Sequence, residues 1–80
     1  MTYTVKVEKK IRMASRAVCT WNKPYFENTF EVDEAGKDLL IHMHEDLAGY
    51  HKTILDDGRI RLYKQTACNE CETLIITENK

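Results

Sequence analysis

The sequence predicts an α+β domain: a small antiparallel sheet, in the approximate order βββαβββ, with one covering helix. Three observations carry this. Apolar residues alternate with polar ones along the first strand-like stretch, a stripe of apolar residues at helical spacing occupies the middle, and an Asp-Asp-Gly turn separates two short apolar runs after it. The alternative is an all-β small barrel, because the middle segment also alternates as a strand would.

The first stretch places Tyr3, Val5, Val7, Ile11 and Met13 on odd positions and Thr4, Lys6, Glu8, Lys10 and Arg12 on even ones, the mark of a strand with one buried face. "ASR" at 14–16 reads as a break. Odd positions then continue with Ala17, Cys19 and Trp21, and "NKPY" at 22–25 reads as a turn, since proline presets its own φ and supplies no ladder donor. Beyond it Phe26, Phe30 and Val32 become the apolar set. Such a parity switch is what a hairpin loop of even length produces. Residues 3–32 are therefore predicted as a three-stranded meander.

In "DEAGKDLLIHMHEDLAGYHKTIL" (33–55) a helix over about 36–48 puts Leu39, Leu40, Met43, Leu47 and Tyr50 on one stripe, predicted to cover the sheet. Asp33 and Glu34 suit its N-terminal end and Gly49 the position after its C-terminus. The strand reading instead alternates Leu39, Ile41 and Met43 with Leu40, His42 and His44. Next, "KTILDDGRIRLYKQ" reads as a hairpin, "CNEC" as a loop and "ETLIITE" (72–78) as the last strand.

Eighty residues, 42% apolar and 31% charged, make one compact domain spanning 1–80. No apolar run exceeds three residues, so no membrane span is expected. The start shows no apolar signal core, and three cysteines are an odd number for a secreted disulfide framework; both features point to a reducing cytoplasm. Net charge is only −1, yet residues 1–24 carry +5, 25–58 carry −7 and 59–80 carry +1. Either the blocks neutralise each other across the fold or they form patches of opposite sign.

Cys68 and Cys71 form a C-x-x-C. Redox chemistry needs a lowered thiol pKa at a helix N-terminus, whereas here Glu70 and Glu72 flank the pair and raise it. A zinc site would need further ligands brought in by the fold. Among Cys19, His42, His44 and His51, the set Cys68, Cys71, Cys19 and His44 is the candidate, and zinc is the one cofactor the sequence suggests. Nothing points to an enzyme. Ser15 is the only serine, glycines 36, 49 and 58 stand apart, and no nucleophile–base spacing recurs.

Two binding surfaces remain. An acidic one comprises Glu34, Asp38, Glu45, Asp46, Asp56 and Asp57 and would dock on a basic, even nucleic-acid-binding, surface of a larger protein or nucleoprotein complex. Small size without catalytic parts is the form taken by many regulators, among them phage and mobile-element inhibitors such as anti-CRISPR proteins. The alternative is a small zinc-binding nucleic-acid module that lays Lys6, Lys10, Arg12 and Arg16 along a phosphate backbone. Against it, no aromatic residue interleaves with these bases. A homo-oligomer is compatible with either; a membrane partner is not expected.

Overall fold

A computed structural model describes the backbone of residues 1–14, 19–67 and 70–79, and the side chains of 1–11, 24–67 and 70–79. The order is β1 (Thr2–Ala14), β2 (Cys19–Asp33), a helix that begins as α1 (Glu34–Ile41) and continues as a π-helical segment (His42–Leu47), then β3 (His51–Ile54), β4 (Ile60–Ala67) and β5 (Glu70–Glu78). The strands form one antiparallel sheet in the order β2-β1-β5-β4-β3. Its edges, β2 and β3, do not pair with each other, so the sheet is open and the barrel alternative falls.

The α+β class and the single covering helix agree with the sequence. The first half does not form three strands. Residues 19–33 are one strand running straight through "NKPY", and the sheet has five strands. Proline is tolerated because β2 is an edge strand and Pro24 sits at a bulge: Lys9 pairs with Phe26 and Lys10 with Pro24, so the ladder skips Tyr25. The parity change seen in the sequence is real. Tyr3 lies opposite Val32 and Val5 opposite Phe30, which places odd positions of β1 and even positions of β2 on one face. The break at 14–16 falls where β1 ends; residues 15–18 lie outside the described residues, as do Cys68 and Asn69 of the C-x-x-C loop.

On that face Tyr3, Val5, Leu62, Leu74 and Ile76 form the buried core, ringed by Val7, Phe30, Val32, Ile60, Leu40, Ile41 and Tyr50. The helix starts where Asp33 caps it, accepting a hydrogen bond from the Gly36 amide at 2.7 Å. Gly36 lets α1 approach β2 closely; a Cβ there would lie 3.1 Å from Val32 Cβ. Gly49 ends the helix at φ 77°, a backbone region that L side chains rarely adopt. The Tyr50 amide donates to the His44 carbonyl at 2.8 Å, one residue further back than in a Schellman turn, as the wider π segment requires.

A polar cluster pins this helix end to the sheet. The Tyr50 hydroxyl donates to Glu72 at 3.0 Å, the Lys64 ammonium donates to the Ala48 carbonyl at 2.5 Å, and the His44 ring meets Tyr50 edge-on at 4.9 Å. Lys9 pairs with Glu72 at 3.7 Å. Burial, followed by the hydrogen bond to Glu72, pushes the Tyr50 phenol up to about 12.

Candidate functional site

The predicted apolar stripe splits: its members Leu40 and Tyr50 face the sheet, whereas Leu39, Met43 and Leu47 face outward. Leu40 and Ile41 pack on the core, and Lys37 and His44 lie inward with them. Lys37 spreads its ammonium 4.7 Å above the Tyr3 ring, and the His44 ring donates from Nδ1 to the Leu40 carbonyl at 2.7 Å. Long amphipathic side chains thus fill inner positions that a hydropathy pattern scores as polar. Leu39, Met43 and Leu47 are left outside, 57%, 47% and 72% exposed. Each is four residues from the next, so they form a row along the solvent side of the helix.

A second row runs beside it. Glu34, Asp38, His42 and Asp46 are also spaced by four and all are exposed. His42 Nδ1 and Asp46 Oδ2 lie 2.8 Å apart, which confirms that this spacing brings side chains together even across the change to π-helix. Asp38 takes the Lys37 ammonium at 3.3 Å. The outer face is therefore an apolar row flanked by carboxylates.

The other predicted acids lie elsewhere. Glu45 is half-buried and reaches Lys52 of β3 at 3.8 Å. Asp56 and Asp57 are exposed in the β3–β4 turn, at the sheet edge opposite β2, from which the helix departs. Asp57 is engaged by Arg59, whose amide and Nε donate to it at 3.1 and 2.7 Å, and these bonds hold its carboxyl below the usual range. The six acids thus divide into three groups, with Glu34, Asp38 and Asp46 on the outer helix face.

The sheet face away from the helix carries the first-strand bases. Lys6 and Lys10 flank Glu8 there, at 3.5 and 3.2 Å from its two oxygens. Arg61 and Tyr63 of β4 join them: Lys6, Ile75 and Arg61 share one cross-strand row, and Glu8, Thr73 and Tyr63 the next. Proximity of Arg61 and Tyr63 to Lys6 is set by the register of β1, β5 and β4 and has no trace in local sequence. The side chains of Arg12 and Arg16 are outside the described residues.

Of the proposed zinc ligands, Cys71 and His44 lie on opposite sides of the sheet. Cys71 pairs with Lys10 and Gln65 on the uncovered face, while its neighbour Glu72 points to Tyr50 beneath the helix. Burial pushes the Cys71 thiol up, with Lys10 acting in the opposite sense. The side chains of Cys19 and Cys68 are outside the described residues, and among the described residues no three His, Cys, Asp or Glu side chains cluster as a metal site would. Likewise, among these residues no helix is long and apolar enough to cross a membrane. Comparison of the chain with family models, with curated proteins and with solved structures finds no match.

Proposed function

We propose that this protein is a non-catalytic binding module, a regulator or inhibitor that lays the outer face of its helix into an apolar groove with a basic rim on a larger protein or nucleoprotein complex. The observation that carries the reading is the exposed row Leu39, Met43 and Leu47 beside the carboxylates Glu34, Asp38 and Asp46. An amphipathic helix whose apolar row faces water matches the helix-in-groove mode, in which anchors at i and i+4 supply the buried contact. The flanking acids select the partner by charge and speed encounter with a basic rim. They also disfavour the same face of a second copy, which would set acid against acid. The π-helical stretch under Met43 and Leu47 is a further pointer, since π segments occur often at functional positions.

The test uses a photo-crosslinking side chain at position 43 and, as a control, at position 31 on the uncovered sheet face. Crosslinking to one partner from 43 and not from 31, lost when Asp38 and Asp46 are changed to Lys, is the expected result. A partner captured equally from both positions, or retained unchanged by the folded double variant, contradicts the reading.

A further inference from the structure

The uncovered sheet face holds a cleft of about 260 Å³ lined by Lys6, Glu8, Lys10, Arg61, Thr73 and Ile75. Three cations surround one carboxylate. Glu8 bridges the two lysines and so holds both ammoniums over the same strip, while the strip keeps a positive excess. Arg61 is different. Among the described residues no carboxylate pairs with it; its guanidinium lies over the Tyr63 ring at 5.2 Å, exposed to solvent. A guanidinium oriented by a ring and free of a carboxylate retains its planar set of donors for a bidentate oxyanion such as a phosphate.

We propose that this strip, across β1, β5 and β4, is a binding site for the backbone of single-stranded nucleic acid. Lys6, Lys10 and Arg61 take successive phosphates. Thr73 adds a hydroxyl donor, and Ile75 offers an apolar contact to an unstacked base. The strip is narrow because Glu27 and Glu31, exposed on β2, bound it on one side by charge. A duplex presents two charged backbones and needs a broader basic surface than these three cations supply. This surface lies opposite the helix, so it is independent of the docking face proposed above.

The experiment is fluorescence anisotropy of a labelled oligothymidylate against a salt series. Three phosphate contacts on a single strand give a slope of log K against log salt of about −2. Arg61→Ala and Lys6→Ala should each reduce that slope by roughly 0.7. Lys52→Ala, which removes the same charge from the helix side of β3, should leave it unchanged. Circular dichroism confirms that each variant is folded. Absence of binding at low salt, a Lys52→Ala effect equal to that of Arg61→Ala, or tighter binding of a duplex of the same length would each overturn the assignment.

Discussion

At the scale of single residues, the junctions of the helix rest on a few groups whose removal has a calculable effect. Gly49 has positive φ with open space around its α-carbon, so Gly49→Ala should cost about 1 kcal/mol from backbone strain alone, read as a lower denaturant midpoint. Tyr50 gives a pH signature. Its phenol is held neutral in the fold, with its pKa raised from 10.0 to about 12. The stability it contributes is complete below pH 10 and is lost as pH rises through 12. Tyrosinate absorbance should therefore show a late step near pH 12 that Tyr50→Phe removes, and the variant's melting temperature should fall less steeply over that window.

At the scale of elements, some of the structure is legible in the sequence and some is hidden for physical reasons. Tyr3, Val5 and Val7 against Phe30 and Val32 announce the first pair of strands, because a period of two is imposed by the pleat itself. Asp56-Asp57-Gly58 announces the second hairpin, with Gly58 at φ 90° in its turn. "NKPY" misleads because proline forbids a ladder donor only where one is needed, and the outer edge of β2 needs none. The helix face misleads in another way. The helical pattern groups Leu39, Met43 and Leu47 with Leu40 and Tyr50, yet only the last two pack inward, beside Lys37 and His44, whose alkyl and ring atoms pack although their termini are polar. Two substitutions separate these faces. Leu40→Ala should destabilise by about 1–2 kcal/mol, as loss of a half-buried side chain does. Leu39→Ala should stay within about 0.5 kcal/mol, as exposed sites do. Equal losses in chemical denaturation would place the stripe inward after all.

At the scale of the whole molecule, two features follow from topology. The core is small, so a chain of this length has a total stability of roughly 4–12 kcal/mol. Leu62→Ala, which empties a fully buried core position on β4, should remove about 2–5 of it and unfold a large share of the protein at elevated temperature. The charge blocks of the sequence are partly placed. Among the described residues the bases of β1 are matched locally, Lys6 and Lys10 by Glu8 and Lys9 by Glu72, and not by the acids of the outer helix face. The helix lies on one side of the sheet and the Lys6–Lys10–Arg61 strip on the other, so an acidic, apolar helix face and a narrow basic strip stand back to back. The acidic half of that arrangement was visible in composition; the basic half was only partly so, because Arg61 and Tyr63 reach Lys6 through strand order rather than proximity in the chain.

We propose the outward row of the helix as a docking surface and not as misplaced core. A direct test is affinity capture, without a crosslinker, of the partner identified from position 43, using a variant that carries Leu39→Ser, Met43→Ser and Leu47→Ser together. This variant should keep its melting temperature within the range expected of exposed sites and no longer capture the partner. Capture undiminished in the folded triple variant, or a collapse of the melt comparable to that of Leu62→Ala, would contradict it.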